Sequence, residues 1–255
     1  MSSYGIEIEA EGVRDPFYIP EGHYEPDGSL RNNGMEYIST ILPGASLAKA
    51  WHNNVIQKLQ EIGASFSQRC GVHIHIDFRE KSDTEVKDFI HKYLLMERRI
   101  CSIIGHGRDK NTFCLPWLDN DGDFTYIKDY FTGRRRRSFL ENTSKYTALN
   151  LRPLAYQGSI EFRMLPTIPD TNLFSQVVDI FEDLQNLTPT EVIEKYQISR
   201  EDKAEAEAFF GNLNKTAPDE NMEFLSEHFS VPVVTPQLDG GLTLDAVEQY
   251  MRENF

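Results

Sequence analysis

Three segments of the chain alternate between apolar and polar residues, and this alternation constrains the fold more than any other feature. The segments are 5–11, 71–78 and 159–165, with the sequences GIEIEAE, GVHIHIDF and SIEFRML. Because successive side chains of a β-strand point to opposite faces, a period of two predicts strands that bury one face. The other faces carry carboxylates, imidazoles and an arginine. We therefore expect the chain to collect ionisable groups on one side of a sheet.

Helical patterns lie between the strand patterns and together with them indicate an α+β fold. Apolar residues recur at helical spacing over 45–62, and Gly63 follows at a position typical of a helix end. Ser82 and Glu85 form a capping box, which predicts the start of a long helix. The residues 105–145 are polar and irregular by contrast. The predicted elements are strands at 5–11, 35–40, 71–78, 146–152 and 159–165, with a hairpin turn near 156–158, and helices at 45–62, 82–105 and 171–187, two starting at 188 and 199, and one at 243–253.

The chain is acidic, and its charge excludes some classes of partner. It has 40 Asp and Glu against 26 Lys and Arg, and a net charge of −14. A surface of this sign repels the phosphate backbone, so general nucleic-acid binding is not expected, whereas cations are attracted.

The cysteines and the absence of targeting signals predict the cellular compartment. Three cysteines without C-x-x-C spacing predict neither a disulfide framework nor a zinc site, and they favour a reduced compartment. No secretory signal and no apolar run of about 18 residues is present, so we expect a cytoplasmic protein without a membrane segment.

The acidic strand faces predict a metal site if the strands share one antiparallel sheet with helices behind it. Two like charges about 4 Å apart repel by about 4 kcal/mol at an effective dielectric of about 20. A cation removes this repulsion, and oxygen ligands with one imidazole suit Mg²⁺ or Mn²⁺ better than zinc. Glu7 with Glu9 alone is typical of a solvated strand face, and Glu161 with Arg163 is typical of an ion pair. Their combination on successive strands, together with two histidines, indicates a hard-metal site.

Short motifs follow one another along the chain in an order that resembles a known family. The residues 5–9 read G-x-E-x-E, and 27–30 with 34–39 read D-x-S followed by a Glu. The residues 70–76 read C-G-x-H-x-H, and 149–151 with 159–167 supply an Asn and then E-F-R. The ordered set resembles the amidoligase family, which groups carboxylate–amine ligases with the fold of glutamine synthetase. The resemblance covers 4–187.

The resemblance implies a fold and a set of cofactors. The fold is a curved antiparallel sheet like that of the glutamine synthetase catalytic domain, with helices on the convex face. The concave face would hold ATP and two divalent ions, Mg²⁺ or Mn²⁺. Glu7 and Glu9 would divide between the two ions, with Glu36 on the Glu9 ion and Glu161 on the Glu7 ion. The implied metal ligands are Glu7, Glu9, Glu36, Glu161 and one of His73 and His75, with Asp27 as a further carboxylate.

The same resemblance implies residues for phosphate binding and catalysis. Arg163 would bind phosphate or the charge that develops in the reaction. The arginine run 134–137 is either solvated or a lid that binds phosphate through the planar guanidinium fork. His75 shares a strand face with Asp77, and both are candidate bases for the amine. The implied nucleotide-binding residues are Lys145, Asn150, Arg137 and Arg163, and the implied catalytic residues are Arg152, Arg163 and His75.

The implied activity is the ATP-dependent joining of a carboxylate to an amine, as an amide or isopeptide bond, through an acyl phosphate. The substrates would be small molecules or peptides. Three alternatives stay open: a guanidino-type kinase of the same fold, an inactive homologue that binds cations or peptides, and a hydrolase with a metal-bound water. The predicted organisation is a catalytic domain over 1–196 and a helical C-terminal appendage over 197–255.

Overall fold

Strands that are far apart in the chain pair into one antiparallel sheet. The computed structural model describes residues 2–105, 107–120 and 124–215. Its strands are β1 (Ser3–Ala10), β2 (Gly22–Pro26), β3 (Met35–Ser39), β4 (Leu42–Pro43), β5 (Gly71–Asp77), β6 (Leu149–Asn150) and β7 (Ser159–Pro166). They form a seven-stranded sheet in the order β2-β3-β1-β5-β7-β6, and β4 pairs with β1. The predicted α+β class with an open antiparallel sheet is confirmed.

Two helices begin where the capping residues of the sequence predict. Ser82 Oγ accepts a hydrogen bond from the Glu85 N–H, and the Glu85 carboxylate accepts one from the Ser82 N–H. Thr188 and Glu191 form a second capping box of the same kind. No helix in the described part of the chain is both long and apolar enough to cross a membrane. The helices are α1 (Ala45–Glu61), α2 (Asp83–Ile104), α3 (Thr125–Phe131), α4 (Arg152–Tyr156), α5 (Thr171–Asn186), α6 (Pro189–Tyr196) and α7 (Arg200–Asn214), with 3-10 turns at Arg108–Lys110 and Arg137–Asn142.

The apolar face of the sheet packs against α1, α2 and α5. Phe162 of β7 makes edge contacts with Tyr93 of α2 and Phe181 of α5, at centroid distances of 6.3 and 5.0 Å. His52 of α1 stacks on Phe174 of α5 at 3.8 Å, which joins these two helices. Each fully buried apolar side chain of this kind contributes about 1.5–3 kcal/mol. Helix packing therefore uses one face of the sheet and leaves the other to the ionisable groups.

The strand predicted over 146–152 is shorter than expected, although its predicted antiparallel pairing with the next strand is confirmed. The structure forms only the short strand β6 and then turns into α4. Asn150 Oδ1 accepts a hydrogen bond from the Arg152 N–H at 3.0 Å, which closes a turn directly after the strand. Pro153 has no N–H for a strand ladder and suits the first turn of a helix. The residues 105–145, predicted to be irregular, contain α3 and both 3-10 turns.

The described residues up to Lys215 group into one compact unit, which includes α7. Phe210 of α7 stacks on His91 of α2 at 4.3 Å, and Glu205 pairs with Arg98 at 2.6 Å. The division into a catalytic domain over 1–196 and a helical appendage over 197–255 stays a prediction. The helix predicted at 243–253 lies outside the described residues.

Candidate active site

Strand register brings the predicted metal ligands into one belt across the polar face. Neighbouring strands lie about 4.8 Å apart, so facing residues of adjacent strands have side chains in reach of one another. Residues from six strands meet in this way. From β2 to β6, the facing pairs are Glu25 with Glu36, Glu36 with Glu9, Glu7 with His73, His75 with Glu161, and Glu161 with Asn150.

Carboxylate and imidazole groups are in direct contact at the centre of this belt. His73 Nδ1 lies 3.0 Å from Glu7 Oε2 and 3.5 Å from Glu161 Oε1, and His75 Nε2 lies 3.2 Å from Glu7 Oε1. The cluster offers two sets of three ligand atoms within 4.8 Å of one another. Glu9 is outside both sets, with Oε1 3.8 Å from His73 Nε2. The sets are Glu7, Glu36 and His73, and Glu7, His75 and Glu161.

Negative charge is in excess at the Glu36 end of the cluster. Burial and then the charges of Glu7, Glu9 and Asp27 raise the pKa of Glu36 to about 9. Burial also raises the pKa of Glu9, although the Gly71 N–H donates a 2.6 Å hydrogen bond to Glu9 Oε2. A bound cation would offset this excess, since an opposite charge within a few ångströms favours the ionised carboxylate.

The other end of the cluster is electrostatically balanced. Burial raises the pKa of Glu7, but hydrogen bonds with His73 and His75 outweigh it, and the pKa is lowered overall. Burial lowers the pKa of His75, but the Glu7 carboxylate and the charge of Glu161 outweigh that effect, and the pKa is raised. His75 Nδ1 also lies 3.1 Å from the Ser159 hydroxyl. Contact between Glu7 and His75 therefore offsets the cost of burying each group at this border of the cluster.

An asparagine of β6 and an arginine of β7 hold the carboxylate of Glu161. Asn150 Nδ2 donates to Glu161 Oε2 at 2.5 Å, and Arg163 Nη1 donates to Glu161 Oε1. The Nε atoms of Arg163 and Arg152 are buried, and neither has a hydrogen-bond partner among the described residues. The Glu161 carboxylate is thus held at both oxygens, and the Arg163 guanidinium that contacts it keeps one unused donor.

Two of the predicted phosphate-binding residues have other contacts. Arg137 donates to Asp83 at 2.8 Å and to the carbonyls of Phe78 and Lys81 at the start of α2. Lys145 is exposed, with Nζ 5.5 Å from the centroid of the Tyr146 ring. The structure does not bring either side chain into the belt, and their roles stay predictions.

Arg108 is a buried residue of the site that the sequence pattern did not single out. The residues 162–165 of β7 face 72–74 of β5, so β7 has one extra residue at this point and forms a bulge. Arg108 donates hydrogen bonds to the carbonyls of Arg163 and Met164 in the bulge, both at 3.0 Å, and to that of Gln68 at 3.2 Å. It lies in a polar, irregular segment without periodicity, and no local signal identified its partners.

Gly71 leaves the space in which this arginine meets the cluster. A Cβ at Gly71 would lie 3.1 Å from Arg108 Nη2 and 3.3 Å from both Glu9 Oε2 and His73 Nε2. These contacts are tight for a side chain, so glycine allows the three groups to approach the same backbone position. The C-G-x-H-x-H motif thus supplies a close-packed backbone position as well as its histidines.

A family model described as "putative amidoligase enzyme" matches residues 21–172. The match covers more than half of the chain and includes β2 to β7. Glu36, His73, His75 and Glu161 fall inside it, whereas Glu7 and Glu9 of β1 precede it. No curated protein gave a match.

Proposed function

This chain belongs to the amidoligase family, and from that premise we propose that it is an ATP-dependent ligase that joins a carboxylate to an amine. One observation carries the proposal: carboxylates from three strands meet around two histidines, with more negative charge at Glu36 than the protein alone neutralises. Such a site suits divalent cations and, through them, the phosphates of a nucleotide. By the same analogy the sheet corresponds to the catalytic sheet of glutamine synthetase.

The donor set fits Mg²⁺ or Mn²⁺. It is rich in carboxylate oxygens, as hard cations prefer, and it has imidazole nitrogens but no thiolate. We assign one ion to Glu7, Glu161 and a histidine, and a second to Glu9 and Glu36 with Asp27 nearby. The short distances that connect Glu36 with Glu7 and His73 favour two ions that share ligands. When bound, the ions would supply positive charge to the phosphate oxygens of ATP.

The chain's own residues then position the reacting groups. The substrate carboxylate takes the terminal phosphoryl group of ATP, which leaves ADP and an acyl phosphate. The amine attacks the carbonyl carbon and expels phosphate, and its proton passes to a base. Arg163 and Arg152 have unused Nε donors for phosphoryl oxygens, and guanidinium groups stabilise the charge of that transfer. His75 and Asp77 stay the candidate bases.

Phosphate release tests the proposal. Purified protein is incubated with ATP, Mg²⁺ and a panel of carboxylates and amines, and phosphate and products are measured. Glu9→Gln is expected to lower the release by about 100-fold or more, because it removes a proposed metal ligand and loss of an outer-shell partner alone costs about 10–100-fold. Glu61→Gln, on the exposed face of α1, is the matched control and is expected to keep full activity.

The product identifies the reaction class. An amide product detected by mass spectrometry supports the ligase, and a stable phosphorylated product would replace it with the kinase. Absence of nucleotide binding in calorimetry with Mg²⁺ and ATP would indicate an inactive protein that binds cations or peptides. Full phosphate release by Glu9→Gln would remove the metal assignment.

A further inference from the structure

A cavity opens on the polar face directly beside the cluster. Its volume is about 380 Å³, and its lining includes Gly5, Glu7, Ile38, His75 and Ser159. Glu7 and His75 also belong to the second ligand set, so the cavity is continuous with the candidate metal centre. This volume is near the lower end of the roughly 300–1,000 Å³ of small-molecule pockets. The cavity therefore suits a small molecule.

The strand arrangement builds this cavity. β1 pairs with β3 over Glu7–Ala10 but with β4 at Ser3–Tyr4, so no strand residue faces Gly5 on that side. Gly5 faces His75 on the other side, and a Cβ at Gly5 would lie 3.3 Å from the Cβ of His75. The gap between β3 and β4 thus lies beside Gly5, which has no side chain to fill it. The cavity is consequently a result of strand pairing.

A fixed arginine lines the cavity. Arg79 donates from Nε and Nη2 to the two oxygens of Asp77, at 2.9 and 2.6 Å. Its side chain lies against Gly158, whose missing Cβ would be 2.5 Å from Arg79 Cγ. Nη1 has no hydrogen-bond partner among the described residues, and the side chain is half-exposed. Asp77 and Gly158 hold the guanidinium in place while Nη1 stays available to a ligand.

The cavity and the nucleotide-binding arginine lie on opposite sides of Glu161. Ser159, Glu161 and Arg163 follow one another on the same face of β7, about 6.6 Å apart at each step. Ser159 lines the cavity, whereas Arg163 contacts Glu161 from the far side. A nucleotide bound at Arg163 therefore leaves the cavity free for a second substrate.

We propose that this cavity binds the amine substrate and that this substrate is a free amino acid, with its carboxylate on Arg79 and its amine toward Glu7. Nη1 of Arg79 can donate a charge-assisted hydrogen bond to a carboxylate, and an ammonium is attracted by the Glu7 carboxylate. Hydroxyl groups of the lining, such as that of Ser159, offer neutral hydrogen bonds to the same ligand. The inference rests on the proposed function for the identity of the reaction, but the binding itself needs no turnover.

Calorimetric titration tests the proposal directly. Proteinogenic L-amino acids and their carboxamides are titrated one at a time, first alone and then with Mg²⁺ and a non-hydrolysable ATP analogue. We expect at least one amino acid to bind, and its carboxamide to bind about tenfold more weakly or worse, because a charge-assisted hydrogen bond is lost. Arg79→Gln is expected to remove this difference, and Arg79→Lys to restore part of it.

Lys49→Gln is the matched control, since Lys49 also pairs with an aspartate, Asp179, but lies on α1 behind the sheet. It is expected to bind like the unchanged protein, and circular dichroism checks the fold of every variant. The proposal is overturned if no amino acid binds under either condition, if carboxamides bind equally well, or if Arg79→Gln still discriminates. Amide formation with amines that lack a carboxylate would overturn it while the ligase function stands. Amino-acid binding without ATP turnover would support the amino-acid site and contradict the ligase function.

Discussion

A single carboxyl group, that of Glu36, reports the electrostatic state of the whole cluster. Its pKa is about 9 because of burial and the charges of Glu7 and Glu9, whereas an unfolded chain has a Glu pKa of about 4.3. A pKa raised by folding means that this group's contribution to stability is complete below about pH 4.3 and is lost as the pH rises through about 9. The metal-free protein is therefore expected to lose stability through this group between those values.

Glu36→Gln is expected to remove that pH dependence and, with it, the response to Mg²⁺. Glutamine has the same shape and no charge, so the metal-free variant should gain stability relative to the unchanged protein as the pH rises from 6 to 9. Saturating Mg²⁺, at about 100 times its Kd, should stabilise the unchanged protein by about 2.7 kcal/mol. Thermal unfolding at both pH values with and without Mg²⁺ measures this.

The neighbouring exposed carboxylate provides the control for this prediction. Glu25 faces Glu36 on β2 but is exposed, so Glu25→Gln is expected to keep the Mg²⁺ response. Equal stabilisation of Glu36→Gln and the unchanged protein by Mg²⁺ would contradict the role of Glu36.

At the residue scale, side-chain direction could be predicted but contacts could not. Alternation put Glu7 and Glu161 on a polar face because strand geometry is local. Their contacts with His73 depend on the register between strands, which involves segments far apart in the chain. The family resemblance supplied what the pattern lacked, namely that these strands act together. Neither strand alternation nor the family resemblance identified Arg108, because its partners are backbone carbonyls of distant segments.

At the scale of elements, the β7 bulge depends on Arg108. Arg108→Met would leave three carbonyls without their donors, and we expect a loss of about 2–4 kcal/mol in the free energy of unfolding. Mg²⁺ binding should also weaken, since Arg163 lies in the bulge and Glu161 directly precedes it. Chemical denaturation and Mg²⁺ titration measure the two effects.

The control is Arg99→Met, at an exposed position of α2, which should change the free energy of unfolding by less than about 0.5 kcal/mol. If Arg108→Met and Arg99→Met had the same free energy of unfolding and the same Mg²⁺ affinity, Arg108 would not stabilise the bulge.

Glu97 anchors the segment 115–118 to α2. Its carboxylate is fully buried and accepts hydrogen bonds from the N–H groups of Trp117 and Leu118, at 2.8 and 2.7 Å, and from the Tyr93 hydroxyl at 2.9 Å. Burial raises its pKa to about 7 against the effect of these donors. The stability from this group is complete below the unfolded pKa of about 4.3 and is lost as the pH rises through about 7.

Glu97→Gln is consequently expected to be most destabilising at low pH. At pH 5 we expect a loss of about 1–3 kcal/mol, because the carboxamide brings an unpaired N–H into a buried site. The difference in free energy of unfolding between Glu97→Gln and the unchanged protein should become smaller as the pH rises to 8, since the carboxyl group titrates and the carboxamide does not. Urea denaturation at several pH values measures it. A difference that is constant or widens with pH would contradict the raised pKa.

Elements with their own local signals were predictable, and those fixed by tertiary contacts were not. The capping boxes at Ser82 and Thr188 determine helix starts within one turn. β6 was predicted too long, because Arg152-Pro153 continues a strand-like pattern until the Asn150 turn and the missing proline N–H are considered. α3 lacks a side-chain cap and lies in a polar segment, so its sequence carried little information about its position.

At the scale of the whole molecule, the sheet separates two kinds of environment. Helices α1, α2 and α5 bury its apolar face, and this rigid packing determines where the strands carry their polar side chains. Apolar burial on the opposite face thus offsets the free-energy cost of bringing like charges together. α6 and α7 extend the helical layer, since Val192, Ala206 and Leu213 belong to the same core.

Truncated chains would test where this unit ends. A chain that ends at Lys215 keeps every described contact, so we expect its unfolding midpoint and Mg²⁺ response to match those of the full chain. A chain that ends at Tyr196 loses α7, with the buried Leu213 and the stacking of Phe210 on His91. Burial of one leucine is worth about 1.5–3 kcal/mol, and with the lost ring contact we expect a destabilisation of about 3 kcal/mol or more. Urea denaturation followed by circular dichroism compares the three chains. Equal stability of the shortest chain would support the division at residue 196, whereas a less stable 1–215 chain would show that the fold needs the residues that follow.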